Sequence, residues 1–245
     1  MDQTEPVRDP EPPIELSVDL LLRAYASGVF PMADTESGAV HWYRPDPRAV
    51  IPLAVEGDGV AAGTPVFRIS RSLRQRVRSG RFRITTDLAF ADVLRACARD
   101  GERDTGCWLT DELMRAYDDM HDAGYAHSIE AWLDGDGGPM LVGGLYGVLV
   151  GGLFAGESMF SAADAGGTDA SKVCMVHLVD TLRRIGALVL DTQFYTEHLG
   201  RFGAIEVDGE DYLHAVDYAV RASCAWPAPG ELAMPGIVGM AEPGG

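Results

Sequence analysis

Met140-Leu-Val-Gly-Gly-Leu-Tyr-Gly-Val-Leu-Val-Gly-Gly-Leu-Phe-Ala-Gly-Glu-Ser-Met-Phe160 lies in a tract with no charged residue from Gly137 to Gly156. Twenty uncharged residues reach the length of a bilayer-spanning helix, and Gly143, Gly147 and Gly151 stand at the spacing of a helix-dimer face. Composition rules that helix out. Eight of the twenty are glycine, a poor helix former that adds nothing to hydropathy. The Gly-Gly pairs divide the apolar material into runs of strand length: Met140–Val142, Leu145–Val150 and Leu153–Ala155. Short apolar runs bounded by glycine predict buried strands. The tract ends in Glu157, a carboxylate at the lip of an apolar sheet, where an enzyme would keep one.

The chain around this tract has 245 residues, 47% of them hydrophobic, enough for one domain with an appendage or two small ones. Its net charge of −17 argues against a general affinity for nucleic acid, because an acidic body repels phosphate. Cys97, Cys107, Cys174 and Cys224 form no CxxC pair, so neither a zinc site nor a disulfide framework is indicated. A reducing cytoplasm suits them, and the acidic, proline-containing N-terminus lacks the plan of a signal peptide. The basic residues are almost all arginine, with Lys172 as the single lysine.

Outward from the tract, the expected domains are a disordered lead over 1–13, a small N-terminal domain over 14–62, the main domain over 63–225 and a flexible tail over 226–245. Asp19 to Ala26 has helical spacing with Gly28 beyond it, and Pro45 and Pro47 hold the segment around Asp46 extended. The aromatics and arginines of the stiff segment Trp42 to Arg48 suit a binding edge, and packing of Trp42 against a small domain is the plain alternative. Glu56 to Thr64 reads as a linker. From Gly59 to Thr86 there is no acidic residue, while Arg68, Arg71, Arg74, Arg76, Arg78, Arg81 and Arg83 all fall there. An unbalanced run of one sign calls for a ligand to offset its repulsion, and phosphate is the obvious one. Asp87 is expected to cap a helix to Arg99, Thr110 a second, and Thr168 a third running to Arg184 with Gly186 as its stop. His127 to Leu133 alternates as a half-exposed strand does, and Ala187 to Leu190 reads as a buried strand leading into Asp191-Thr192-Gln193. A short strand near Ile205 and a helix from Asp211 to Val220 follow. After residue 65 the order is helix, strand, helix, helix, three strands, helix, strand, helix: an α+β fold with a mixed sheet flanked by helices.

Asp191 and Gln193 are two apart, so on a regular strand they share a face, can hydrogen-bond each other and can hold one ligand. Taken alone, the pair reads rather as a polar turn at a strand end. No nucleophile-elbow, P-loop or dinucleotide fingerprint occurs in the chain.

Several segments in collinear order resemble the leucyl/phenylalanyl-tRNA–protein transferases. They include Gly28-Val29-Phe30-Pro31, Pro45-Asp46-Pro47-Arg48-Ala49-Val50, Ile69-Ser70-Arg71-Ser72 and Trp108-Leu109-Thr110. Further on come Gly124-Tyr125-Ala126-His127-Ser128-Ile129-Glu130, Gly156-Glu157-Ser158-Met159-Phe160, Ser171-Lys172 and Asp191-Thr192-Gln193. They span about residues 20 to 215, and the Gly-Glu-Ser-Met-Phe block is highly specific.

The resemblance implies a GNAT-like acyltransferase domain behind a small N-terminal domain. The enzyme would move Leu or Phe from aminoacyl-tRNA to the α-amine of proteins beginning with Arg or Lys, marking them for degradation. It implies no metal and no cofactor, no membrane association, and a monomer. By the matched positions Gln193 orients the attacking amine, Asp191 supports Gln193, and Glu157 favours a cationic acceptor. Leu145, Phe154, Met159, Met175, Leu178 and Leu190 would line the side-chain pocket; read without the resemblance they are plain core. Trp108 would stack on the terminal adenosine, and the tract containing Arg68, Arg71, Arg74, Arg76 and Arg78 would hold the tRNA stem. The chain departs from the family pattern at Glu15-Leu16-Ser17, where a glycine-rich segment is usual, and at Met32, where a Trp is common. The competing readings are an acetyl-CoA-dependent acetyltransferase and a tRNA- or degron-binding module, besides a cell-wall aminoacyl-tRNA transferase, which is nearer in mechanism but a longer chain. The loop from Ala162 to Thr168 lacks the arginine and glycine spacing the first needs, and the second gives Asp191, Gln193 and Glu157 no reason to converge.

Overall fold

The structure is a computed structural model that describes residues 16–55, 59–104, 108–135 and 137–238. The expected lead over 1–13 lies outside the described residues, as do part of the expected linker and the last residues of the expected tail.

Helix α1 (Val18–Ala26) starts at Ser17, whose hydroxyl accepts from the Leu20 N–H, and buries Leu21 and Tyr25. Strands β1 (Phe30–Ala33) and β2 (Val40–Tyr43) form a separate antiparallel pair. Strand β3 (Arg48–Ile51) leaves that pair and enters the main sheet, so the region 14–62, expected as a small N-terminal domain, contributes a strand to the main sheet.

The elements that follow are α2 (Arg71–Arg78), β4 (Arg83–Thr86), α3 (Phe90–Asp104), α4 (Asp111–Asp122), β5 (Ala126–Gly135), β6 (Gly138–Val150), β7 (Leu153–Ser161) and α5 (Ala170–Ile185). Then come β8 (Val189–Gln193), the short α6 (Glu197–Gly200), β9 (Ile205–Val207), α7 (Gly209–Ala219) and β10 (Gly230–Glu231). The sheet runs β10-β4-β5-β6-β7-β8-β3-β9 and is antiparallel except between β7 and β8. The ten elements expected after residue 65 are found in that order, with the short α6, β9 and β10 in addition.

One sheet face, with Val142, Leu145, Phe154 and Leu190, packs on Val173, Met175, Leu178 and Leu182 of α5. The other, with Tyr146, Val148, Ala155 and Phe160, packs on α1, α3 and α4 through Leu21, Val93, Leu113 and Tyr117.

The glycine-rich tract forms strands, but its glycines do not all act as breaks. β6 runs unbroken through Gly143 and Gly144, and only Gly151-Gly152 turns the chain into β7. Gly143 and Gly144 make room. A Cβ on Gly143 would stand 2.4 Å from the Cβ of Ala170, where α5 begins, and one on Gly144 3.0 Å from Val93 of α3. Helices thus press on both faces of β6 where it has no side chains.

Three further expectations are corrected. Asp87 does not cap α3; its backbone is left-handed (φ 55°), and its carboxylate accepts from the Ser128 N–H and pairs with His127. Asp169, not Thr168, takes the position before α5, and its carboxylate meets Lys172 at 2.7 Å instead of the helix N–H groups. The expected loose tail is held down as far as Val238. Trp226 stacks on His127 and Phe154 and donates to the Thr86 hydroxyl, β10 pairs with β4, and Ile237 and Val238 are buried. Among the described residues no helix is long and apolar enough to cross a membrane.

Candidate active site

The parallel pair β7–β8 joins for only three residues, Leu153 with Val189, Phe154 with Leu190 and Ala155 with Asp191. Immediately beyond, both strands bulge. On β7, Gly156 and Ser158 pair with Gly147 and Tyr146, so Glu157 is an extra residue without a partner. On β8, Asp191 and Gln193 pair with Val50 and Ala49 of β3, so Thr192 is the extra residue. A bulge bends its strand and re-aims the side chains after it. The strands part, and a cavity of about 250 Å³ opens between them.

Its apolar wall is Leu145, Met159, Met175, Leu178 and Leu190, and Glu157 and Gln193 also line it. The bulge explains Met159. Phe154 and Met159 are five apart and would face opposite ways on a regular strand, yet both join the α5 side of the core. Phe154, expected in the pocket wall, is fully buried against Trp226 and is not among the lining residues, because it precedes the point where the strands separate.

Asp191 stands behind the cavity, not in it. Its carboxylate accepts from Arg48 Nε at 2.8 Å and Nη2 at 2.6 Å, from the Tyr212 hydroxyl at 2.8 Å and from the Gln193 backbone N–H at 2.9 Å. Arg48 and Asp191 are each 1% exposed. The guanidinium lies between the rings of Phe30 and Tyr212, 4.8 and 4.7 Å from their centroids, and also donates to the Gly28 carbonyl. Asp191 therefore touches the backbone of Gln193 and not its carboxamide, as the alternation of a regular strand would have it. The bulge at Thr192 and the left-handed backbone of Gln193 (φ 58°) turn the Gln193 side chain to the cavity. Its Nε2 is buried with no partner, a donor that a ligand in the cavity could satisfy.

Glu157 is fixed by two phenols. Tyr25 donates to Oε1 at 2.8 Å and Tyr117 to Oε2 at 3.0 Å, while the two hydroxyls lie 2.9 Å apart. Burial raises its pKa from the usual 4.5 to about 7, against the opposing pull of the two tyrosine hydrogen bonds. A carboxyl group that takes up and releases a proton near neutral pH thus borders the cavity.

Arg48, Tyr212, Tyr25 and Tyr117 are the residues that sequence reasoning did not place in this site. A signal existed for two of them: Arg48 is a lone charge at the head of the apolar run Ala49-Val50-Ile51, and Tyr25 shares the apolar face of its helix with Leu21.

The residues expected at a tRNA surface divide in two. Trp108 is half-buried against the α1–α4 core and its carbonyl accepts the Ala33 N–H of β1. Arg68 and Arg71 are exposed, with no carboxylate partner among the described residues. Arg76 lies 4.0 Å from Asp169. Arg74 and Arg78 instead donate to the carbonyls of Ile237 and Val238, clamping the C-terminal segment on α2. Asp87, His121 and His127 bring possible ligand atoms within 4.8 Å of one another. Their contacts are internal, however: His127 Nδ1 to Asp87 and His121 Nδ1 to the Ala126 carbonyl.

Family models for the leucyl/phenylalanyl-tRNA protein transferase and for its N-terminal domain match residues 64–217 and 14–46. The leucyl/phenylalanyl-tRNA–protein transferase of Salinibacter ruber is 46% identical over 214 residues, covering 87% of this chain and 84% of its own. That of Herpetosiphon aurantiacus is 44% identical over 211 residues, covering 86% and 98%. Among solved structures, FemX superposes with a TM-score of 0.48 at 14% identity, over 78% of this chain and 66% of its own.

Proposed function

This chain belongs to the leucyl/phenylalanyl-tRNA–protein transferase family, and on that premise we propose how its cavity performs aminoacyl transfer. The enzyme moves leucine or phenylalanine from the 3′ end of a charged tRNA to the α-amine of a protein that begins with Arg or Lys. The product is marked for degradation by the N-end rule pathway.

The observation that carries the reading is the cavity between β7 and β8, apolar along one wall and bordered by Gln193 and Glu157. An apolar cavity of about 150 Å³ holds a benzene ring, so one of about 250 Å³ holds the side chain of Phe or Leu. Met159 and Met175 can adjust to either shape.

The donor ester is already activated, so the site must position two reactants and move one proton. The acceptor nitrogen attacks the ester carbonyl carbon, the bond to the ribose oxygen breaks, and that oxygen leaves as a hydroxyl. An α-amine has a pKa of about 8, and Glu157, at about 7, is matched to accept its proton and return it to the leaving oxygen. The unpartnered carboxamide of Gln193 holds the reacting groups in place, and Asp191 anchors Gln193 through its backbone. This chemistry calls for no metal or nucleotide cofactor.

The parting of the two parallel strands around the cavity supports a GNAT-like acyltransferase domain. Trp108 would stack on the terminal adenosine, and the exposed Arg68 and Arg71 would meet the tRNA backbone. We take the enzyme to act as a monomer in the cytoplasm. Incubation with radiolabelled leucyl-tRNA and an Arg-initiated peptide tests the reading: labelled peptide is expected, and label recovered only as free leucine or intact tRNA would refute it.

A further inference from the structure

A second cavity, of about 310 Å³, lies beside the first and shares His198 with it. Its walls come from two parts of the chain. Ser70 and Ser72 at the start of α2 and Arg68 just before it form one side; Lys172 of α5 and Arg201 after α6 form the other. Arg71, exposed on α2, stands between the two serines in sequence. The cavity therefore lies between the aminoacyl pocket and the start of α2.

It is cationic in a chain of net charge −17. Arg68, Lys172 and Arg201 line it against one carboxylate, Asp169. That carboxylate is already held by Lys172 at 2.7 Å and faces Arg76 at 4.0 Å. Arg68 and Arg201 have no carboxylate partner among the described residues. The first turn of α2 contains no acidic residue, so the positive end of its dipole is left uncompensated beside the same space. His198 registers the result: burial lowers its pKa, and the charges of Lys172 and Arg201 lower it further. Surface cations left without partners repel one another until an anion joins them.

We propose that this cavity is a subsite for one phosphodiester of the donor's single-stranded 3′ end, with Lys172 and Arg201 closing on the phosphate from one side and Arg68 from the other. The proposal rests on the aminoacyl-transfer reading of the neighbouring pocket. With the aminoacyl group seated there, the phosphodiester joining the last two nucleotides is the first anion the donor presents beyond its terminal adenosine. The lone lysine, Lys172, thereby acquires a role in binding the donor.

The test compares two short donors with the Arg-initiated peptide as acceptor: leucyl-adenosine, which has no phosphodiester, and leucyl-cytidylyl-(3′,5′)-adenosine, which has one. Wild-type enzyme should use the second about tenfold better in kcat/KM, the scale of one charge-assisted hydrogen bond. Arg201→Ala and Lys172→Met should each bring that ratio towards one, Arg201→Lys should keep most of it, and added salt should narrow it in the wild type. The ratio is internal to each preparation, so incomplete folding of a variant cancels. A wild-type ratio near one, or a full ratio in both variants, overturns the subsite. Transfer from neither short donor by an enzyme that is active on leucyl-tRNA also overturns the subsite, whereas no transfer from leucyl-tRNA overturns the functional reading, and the subsite with it.

Discussion

Asp191→Asn swaps one atom in the hydrogen-bond set that holds the site, and its consequence can be worked from the contacts. The carboxylate accepts four hydrogen bonds, two of them from Arg48, and neither residue of that pair reaches solvent. Asparagine has one acceptor oxygen, and its amide group points hydrogens at donors. The guanidinium is then left buried without a counter-charge. Removing one partner of such a pair costs about 3–5 kcal/mol. For a chain of this size each kcal/mol moves Tm by about 2–4 °C, so a loss of roughly 6–20 °C follows from these two ranges. Arg48→Met should cost a similar amount, because it strands the carboxylate instead.

The double variant Arg48→Met/Asp191→Asn buries no charge, while the oxygen of the introduced amide can still accept from Tyr212 or from the Gln193 N–H. It should therefore melt closer to wild type than either single variant does. Urea and thermal unfolding of the four proteins measure the coupling. Activity follows a different order: both variants that carry the Asp191→Asn change should show a lowered kcat with donor KM little changed, because Gln193 has lost part of its anchor. Additive losses in the double variant, or an Asp191→Asn protein as stable as wild type, would refute the view that Asp191 acts through Arg48 and the backbone.

Gln193→Ala should lower kcat about 100-fold at constant donor KM, the scale of a misplaced reactive group, as read by single-turnover transfer. Glu157 has its pKa raised by burial to about 7, so the folded state favours the neutral acid. The stability this contributes is fully present below the ordinary value near 4.5 and is lost as pH rises through 7. Glu157→Gln should therefore gain on wild type in urea midpoint between pH 5 and pH 8, and should lose the limb near pH 7 from the kcat/KM profile; parallel profiles would refute the assignment. Gly143→Ala places a Cβ 2.4 Å from that of Ala170, and unfolding should register overpacking of about 1–3 kcal/mol. Arg74→Ala with Arg78→Ala removes the clamp on the Ile237 and Val238 carbonyls, so the amides of Leu232 and Val238 should exchange hydrogen faster, with β5 amides unaffected.

The element order was legible because it rests on local signals: glycine-bounded apolar runs, the Thr110 cap, the Gly186 stop. What it could not give was how glycine is used. Gly-Gly at 143–144 and at 151–152 look alike in the sequence, yet one is a flat place for Ala170 and Val93 to press on and the other is a turn. The difference is set by helices distant in the chain. The C-terminal segment was misread for a related reason. Its proline and glycine content predicts looseness, but Trp226, Ile237 and two arginines of α2 supply long-range contacts that no local pattern announces.

The candidate site was legible as a set of residues but not as an arrangement, and the two bulges are the reason. Strict alternation puts Asp191 and Gln193 on one face and Phe154 and Met159 on opposite faces. One extra residue at Thr192 and one at Glu157 reverse both relations. Asp191 then turns to Arg48 and Tyr212 while Gln193 turns to the cavity, and Met159 joins Met175 and Leu178 in its wall. The extra residues follow Ala155 by two positions and Asp191 by one, and Ala155 and Asp191 are the last residues at which β7 and β8 pair. Strands that bent less would keep pairing and leave no cavity; strands that bent earlier would expose Phe154, which is instead sealed under Trp226. Deleting Thr192 should therefore do more than shorten a strand. It leaves Gln193 opposite Ala49 and on the face away from Asp191, but it removes the bend and the left-handed backbone that aim the carboxamide into the cavity. Transfer should therefore fall steeply, while Ala substituted for Thr192, which keeps the extra residue, should retain most of kcat. Equal loss in the two variants would show that the Thr192 side chain, and not the bulge, organises the site.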